Sequence, residues 1–198
     1  LIAGISAYVK YLSPTTQVIG VEADGSACMS AALAAGRRVT LPYETLDLFA
    51  DGASVAQVGK ETFRIARKCV DSVITVNTDQ ICAAIKDIFD DTRSIAEPAG
   101  ALALAGLKVY AEREQLKGKT LIAVDSGANM NFDRLRHVAE RAELGEQREG
   151  LFAVTIPERP GAFLEFCRTI GERSVTEFNY RLASRAEAHV FVGLEVGG

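Results

Sequence analysis

Four short stretches of this sequence each combine acidic or hydroxyl side chains with glycine. They are EADGS at 22–26, ADGAS at 50–54, AEPAG at 96–100 and DSGAN at 125–129. Carboxylates and hydroxyls can hold a ligand, and glycine lets the backbone approach it closely. Any one of these stretches alone is a common turn. We interpret the four as loops at strand ends of one sheet, and together they indicate one shared crevice for a small molecule.

The last of these stretches follows an apolar run. Residues Leu121 to Val124 predict a fully buried strand, of the kind found in sheets that are covered on both faces. The strand leads directly into Asp125, Ser126 and Gly127. From the residues alone, Ser126 either holds a ligand at the carboxyl edge of the sheet or caps the helix that follows, and both interpretations stay open.

Other kinds of chemistry find little support in the sequence. No GxGxxG follows a strand, and the sequence contains no GxxxxGK[ST], GxSxG or HExxH motif. The two histidines and four cysteines are scattered, which predicts reduced thiols inside the protein and no metal site. A hydrophobic fraction of 48% predicts a globular protein, and a net charge of −4 argues against a nucleic-acid or membrane partner. The lack of a signal peptide or long apolar run points to the cytoplasm.

Helices and strands alternate in the first part of the chain. The predicted strands are 17–23, 72–77 and 121–124, and the predicted helices are about 2–12, 26–36, 57–70, 78–91, 97–114 and 132–144. Ser26 is the expected cap and Gly36 the expected end of the second helix, and Pro98 suits a first helical turn. A stripe of Ile81, Ile85, Ile88 and Phe89 predicts the buried face of the fourth helix. This alternation predicts an α/β domain with a parallel, doubly wound sheet.

The pattern changes near residues 143–150, ELGEQREG, which we interpret as a linker. After it we expect a strand at 151–156, a helix at about 161–170 and strands at 174–182 and 188–196. This β-α-β-β order is typical of the first two thirds of a ferredoxin-like α+β domain. We therefore expect domains at 1–149 and 150–198. Because the chain starts inside a helical pattern and ends on a strand, we expect it to be a piece of a longer polypeptide.

Several long segments together resemble one known family. They are VEADGSACMSAAL, LFADGASV, GKETF, AEPAGALALAG, SGANMNFDRLRHVAERAELGEQRE and SVTEFNYR, and they extend over nearly the whole chain. In these segments the chain resembles the biosynthetic threonine dehydratases (threonine ammonia-lyases), which are pyridoxal-phosphate lyases of fold type II. The resemblance implies a tryptophan synthase β-like parallel-sheet domain followed by a partial ACT-like regulatory domain. It also implies a role in isoleucine biosynthesis.

The resemblance implies which residues contact the cofactor, pyridoxal 5'-phosphate. Ser126 corresponds to the serine that meets the pyridine nitrogen, and Leu1 to the last residue of the phosphate-binding loop. Gly52 and Gly127 are expected to let the backbone approach the flat ring, and Glu97 to lie beside it, although a helix N-terminus also favours an acid at position 97. The Schiff-base lysine corresponds to a position upstream of this chain. The chain is therefore expected to contain no catalytic lysine and to be inactive by itself.

The same resemblance implies the substrate and the regulation of the complete protein. L-Threonine is the implied substrate, isoleucine the inhibitor and valine its antagonist, in what is usually a homotetramer. Effector-binding candidates are Gly161, whose backbone precedes a helix, and Glu177, Phe178 and Tyr180 on a neighbouring strand. From the residues alone, a packing role for the two aromatic rings is equally compatible with the sequence.

Two other functions stay open at this point. One is a related fold-type II enzyme that acts on serine or another β-substituted amino acid. The other is a non-catalytic amino-acid-binding module, which only the missing lysine supports.

Overall fold

In the computed structural model, which describes residues 1–145, 149–184 and 186–196, helices and strands alternate along the first part of the chain. The elements are α1 (Ile2–Leu12), β1 (Ile19–Ala23), α2 (Cys28–Ala35), α3 (Lys60–Cys69), β2 (Ser72–Val76), α4 (Thr78–Thr92), α5 (Pro98–Arg113) and α6 (Arg134–Gly145). Strands β1 and β2 pair in parallel, from Ile19 opposite Ser72 to Ala23 opposite Val76. The predicted parallel α/β arrangement is confirmed. The chain forms two compact units, Leu1–Ala142 and Glu143–Gly198.

Helices α4 and α5 form the centre of the first core together with the two strands. Ile81, Ile85 and Ile88 are buried there, as their helical spacing predicts. The burial predicted for Phe89 is wrong, because its side chain is 41% exposed. Its ring lies at the edge of the apolar stripe, where the guanidinium of Arg93 covers it at 5.4 Å.

The ends of the helices follow the predicted signals in two of three cases. Gly36 ends α2 in the left-handed region, with φ of 66°, and Pro98 occupies the first turn of α5. The predicted Ser26 cap is wrong, because Ser26 lies in a short 3-10 turn and α2 begins at Cys28. The carboxylate of Glu22 caps α2 instead: it accepts hydrogen bonds from the N–H groups of Met29 and Ser30, both at 2.8 Å.

The apolar run Leu121–Val124 differs most from its prediction. These residues form no helix and pair with no strand among the described residues, and Ile122 is 84% exposed. A strand forms only when a neighbouring backbone accepts its hydrogen bonds, and β2 pairs with β1 rather than with this segment. Between residues 119–122 and β1 lies a groove of about 650 Å³. The predicted buried strand is therefore wrong for the chain as it stands.

The second unit contains β3 (Glu149–Pro157), α7 (Ala162–Ile170), β4 (Val175–Leu182) and β5 (Glu187–Glu195). The three strands form an antiparallel sheet in the order β3-β5-β4, with α7 packed on one face. This is the predicted β-α-β-β part of a ferredoxin-like domain. The predicted linker is shorter than 143–150, because α6 extends to Gly145 and β3 begins at Glu149. Residues 146–148 lie outside the described part of the chain.

The four cysteines are free thiols, with Cys28 and Cys82 buried and the other two half-buried. Burial raises the pKa of the Cys82 thiol to about 12, so this thiol stays protonated at neutral pH. Among the described helices, none is long and apolar enough to cross a membrane.

Candidate active site

The start of α5 is the meeting point of the polar stretches. The N–H of Glu97 donates a 3.0 Å hydrogen bond to the carbonyl of Gly127, which joins AEPAG to DSGAN. A Cβ added at Gly127 would lie 2.1 Å from Glu97 Oε1. A Cβ added at Gly100 would lie 2.2 Å from the Gly127 carbonyl oxygen. At Gly100 only glycine allows the two segments to approach this closely, because the atom that a Cβ would meet belongs to the backbone.

The ADGAS loop reaches the same place. A Cβ added at Gly52 would lie 3.1 Å from Ala99 Cβ and 3.8 Å from Glu97 Oε1. Gly52, Glu97 and Gly127 therefore lie around one point, which the sequence alone only suggested.

The fourth stretch, EADGS, joins through the same loop. The N–H of Asp47 donates to the Gly25 carbonyl at 3.1 Å, and Ser54 Oγ lies 3.4 Å from Ser26 Oγ. All four polar stretches are thus connected by direct contacts.

Ser126 lies next to this cluster in the chain, with its side chain exposed. The alternative that it caps the following helix is wrong, because α6 begins only at Arg134. Within the described part of the chain, no hydrogen bond engages its hydroxyl. The hydroxyl is therefore available for a ligand.

Leu1 is not brought to the cluster by any contact found among the described residues. It is the N-cap of α1, and its carbonyl accepts from the N–H groups of Gly4 and Ile5.

Glu22 and Cys28 form a second polar pair close to β1. Burial raises the pKa of the Glu22 carboxyl, while the two N–H donors of α2 act in the opposite direction. Burial, and after it the charge of Glu22, raises the pKa of the Cys28 thiol. The Glu22 carboxylate is occupied in fixing the start of α2. Sequence reasoning missed this carboxylate cap, although an acid six residues before the helix was visible.

In the second unit, the effector candidates lie on different sides of the sheet. Phe178 and Tyr180 face α7, where their rings meet the Phe163 ring edge-on, with centroids 5.6 and 6.4 Å apart. Glu177 alternates to the opposite face, opposite Gly193 of β5. Gly161 is the N-cap of α7, with φ of 91° and open space where a Cβ would be.

A hydrogen bond ties β4 to the loop before α7. The Tyr180 hydroxyl donates to Glu158, and this bond raises the pKa of the tyrosine. Gly161 follows in the same loop, so Tyr180 and Gly161 flank one surface region while Glu177 lies apart from it.

A comparison with protein families matches residues 1–127 to the pyridoxal-phosphate dependent enzymes. The chain belongs to this family. Residues 140–198 match the C-terminal regulatory domain of threonine dehydratase. The order of a fold-type II domain followed by a regulatory domain is therefore as predicted.

Individual relatives agree with the family. A protein from Burkholderia multivorans named L-threonine dehydratase biosynthetic IlvA is 58% identical over 99% of this chain. The processed form of threonine deaminase isoform 2 from Solanum lycopersicum is 44% identical, with a TM-score of 0.69 over 72% of this chain and 41% of that one. Maize serine racemase is 28% identical, with a TM-score of 0.61 over 71% of this chain and 44% of its own. The chain spans about 38% of the length of the Burkholderia protein.

The residues of the cluster fit the cofactor of this family. The absence of side chains at Gly52 and Gly127 makes room for Ala99 and for the Glu97 carboxylate, so that small residues and one carboxylate lie close together at this point. The free Ser126 hydroxyl supplies a neutral polar group at its edge. The chemistry of these residues is compatible with one wall of a pyridoxal-phosphate site.

Proposed function

We propose that the complete protein to which this chain belongs is a threonine ammonia-lyase, which converts L-threonine into 2-oxobutanoate and ammonia with pyridoxal phosphate. The observation that carries this proposal is the meeting of Gly52, Glu97 and Gly127 beside Ser126, within a chain of that cofactor family. The names of the relatives, and the match to a threonine dehydratase regulatory domain, support the choice of threonine.

The chain's own residues would hold and tune the cofactor. Pyridoxal phosphate, when bound, supplies an electron sink that makes the Cα proton of an amino acid acidic. We assign Gly52 and Gly127 to the faces of the ring, Glu97 to its edge and Ser126 to its nitrogen. Leu1 would belong to the end of the phosphate-binding segment.

The chemical identity of Ser126 favours elimination. A carboxylate at this position would keep the ring nitrogen protonated and strengthen its withdrawal of electrons, whereas a hydroxyl is neutral. Ser126 at the ring nitrogen would therefore leave the cofactor a weaker electron sink, which would favour loss of the β-hydroxyl over reprotonation at Cα. We therefore expect dehydration to exceed racemisation and transamination.

The second unit would bind the amino-acid effectors. We assign isoleucine inhibition and its relief by valine to this unit, with Gly161 and the Phe178–Tyr180 face as candidate contacts and Glu177 on the opposite face. No side-chain hydrogen bond caps the start of α7 at Gly161, and the positive end of a helix suits a carboxylate. A homotetramer is the proposed assembly.

A steady-state comparison on the complete protein tests the function. We expect cofactor absorbance and 2-oxobutanoate formation from L-threonine at a higher kcat/KM than pyruvate formation from L-serine, and little racemisation of either amino acid. Equal efficiency on serine, or dominant racemisation, would contradict the proposal. Residues 1–198 expressed alone serve as the control and are expected to be inactive, because the Schiff-base lysine is assigned outside them.

A further inference from the structure

The loop Phe49–Gly52 is held from two sides. On one side, Ser54 Oγ lies 2.7 Å from the Asp47 carbonyl and 2.9 Å from the Ala50 carbonyl. The N–H of Phe49 donates to Asp47 Oδ1 at 2.8 Å. These bonds are local and fix the shape of the loop itself.

Helix α6 holds the other side. Arg134 Nη1 donates to the Phe49 carbonyl at 3.4 Å and lies 3.6 Å from Asp51 Oδ2. One turn later, the His137 ring meets the Phe49 ring with centroids 5.9 Å apart. Residues three and four apart share a helix face, so Arg134, His137 and the buried Val138 present one surface to the loop and the core.

The loop ends at the candidate cofactor site. Gly52 has little spare room, since a Cβ there would lie 3.1 Å from Ala99 Cβ. The loop backbone therefore sets the clearance between Gly52 and the start of α5. A change in the contacts of α6 with Phe49 and Asp51 would therefore change the distance between Gly52 and the start of α5.

Helix α6 also leads out of the first unit. It extends to Gly145, and β3 of the second unit begins at Glu149. One helix thus touches the loop of the candidate site with its first turn, and β3 of the second unit follows its last turn in sequence.

We propose that Arg134 is a positioning residue: it fastens the Phe49–Gly52 loop to α6, fixes Gly52 at the cofactor site and makes that site responsive to the regulatory unit. The inference rests on the proposed function and adds a specific route of regulation to it. Arg134 acts through the loop and touches neither cofactor nor substrate in this assignment.

Amide hydrogen exchange of residues 47–54 in the complete protein tests the contact directly. In Arg134→Gln we expect these amides to exchange about fivefold faster, the order expected when a partly exposed ion pair is lost. Arg134→Lys, which keeps the charge, should restore part of the protection. The dissociation constant of pyridoxal phosphate, from fluorescence titration of the apoprotein, should rise about threefold to tenfold in Arg134→Gln.

Two matched variants separate this role from a general loosening of the helix. Arg136→Gln removes a cation that pairs with Glu140 within α6, at 2.8 Å. Arg141→Gln removes the 2.9 Å ion pair between α6 and Asp79 at the start of α4. We expect neither variant to change exchange in residues 47–54 or cofactor affinity. Unchanged loop exchange in Arg134→Gln, or equal effects in all three variants, would overturn the proposal.

The proposed role of Arg134 in regulation is tested separately, by inhibition with isoleucine. The isoleucine concentration for half-inhibition should shift at least threefold in Arg134→Gln and stay constant in Arg136→Gln. If the Arg134→Gln value equals that of the wild type, the loop contact does not transmit regulation and that part of the proposal fails. If the wild-type protein binds the cofactor but does not act on threonine, the proposed function fails, and the exchange and affinity data still decide the role of Arg134.

Discussion

Two neighbouring glycines at the candidate site are constrained in different ways. At Gly127, an added Cβ would meet the carboxylate at the end of the Glu97 side chain, which can rotate away. At Gly100, it would meet the backbone oxygen of Gly127 at 2.2 Å, which cannot move without displacing the segment. The first glycine is therefore needed for the site, and the second for the fold.

This contrast predicts that two alanine substitutions in the complete protein affect different properties, cofactor affinity in one and stability in the other. Gly127→Ala should leave the Tm nearly unchanged but weaken cofactor binding at least tenfold, because Glu97 must leave its position. Gly100→Ala should lower the Tm clearly, with a destabilisation of about 2–3 kcal/mol from overpacking. Thermal unfolding of the apoprotein and cofactor titration measure the two effects. Gly4→Ala, in α1 with open space around it, is the control and should be neutral or stabilising.

Ser126 carries the chemical part of the proposed function. Ser126→Ala should weaken cofactor binding by about 1–3 kcal/mol, or about five- to 150-fold, and slow elimination, because one polar contact to the ring is lost. Ser94→Ala, at an exposed serine outside the site, is the matched control. If Ser126→Ala keeps wild-type affinity and rate, the hydroxyl does not meet the cofactor.

At the level of elements, local signals predicted the helices well. The α1 prediction, 2–12, agrees with Ile2–Leu12, and the isoleucine stripe of α4 is buried. These features depend on the spacing of apolar side chains and on residues that start or end helices, and both signals are local in the sequence. The Leu121–Val124 strand was wrong because strand pairing needs a partner elsewhere in sequence, and the Ser26 cap was wrong because Glu22 competes for the same N–H groups.

At the candidate site, too, local signals were visible in the sequence and contacts between distant residues were not. The polar stretches were visible in the sequence, and the parallel-sheet prediction suggested that they converge. In the described part of the chain, however, only EADGS adjoins a strand, and the other contacts are made by loops and the start of α5. The contacts of Arg134 with Phe49 and Asp51 were not visible, because they join residues 85 and 83 positions apart in the sequence. No sequence spacing encodes such a pair.

Asp71 connects two elements in a pH-dependent way. Its carboxylate accepts from Lys10 of α1 at 2.9 Å and from the N–H of Val18, just before β1, at 2.7 Å. These bonds, Lys10 first, lower the pKa of Asp71 below its usual value of 3.8. The carboxylate therefore stabilises the folded state above pH 3.8, and this contribution is lost as the pH falls through the lower pKa of the folded state.

Asp71→Asn should accordingly destabilise the protein by about 1 kcal/mol at neutral pH, discounted for partial exposure. The difference in Tm from the wild type should narrow as the pH is lowered below 3.8. Thermal unfolding followed by circular dichroism over a pH series measures this. Asp90→Asn, at an exposed aspartate of α4, should show little difference at any pH. A constant Tm difference for Asp71→Asn would mean that its charge contributes nothing.

At the level of the whole molecule, apolar side chains next to the strands of both units are exposed in this chain. β1 pairs with β2 on one edge, and the groove beside Leu121 and Ile122 leaves apolar side chains exposed. The three-stranded sheet of the second unit carries exposed Phe152 and Phe191. Unpaired strand edges with apolar surface promote association between chains. The relatives are much longer than this chain, so its stability as a separate piece and its function within a complete protein are different questions.

The isolated 198-residue chain should therefore aggregate on expression, with little monomer in size-exclusion chromatography. Ile122→Lys should increase its soluble fraction, because it places a charge on the exposed apolar segment beside the groove. Tyr11→Lys, at a residue of α1 that is 81% exposed and outside the groove, is the control for an added charge alone. If Tyr11→Lys improves solubility as much as Ile122→Lys does, net charge and not the unpaired segment governs association. A wild-type chain that elutes as a monomer and unfolds cooperatively would show that the exposed segment does not cause aggregation.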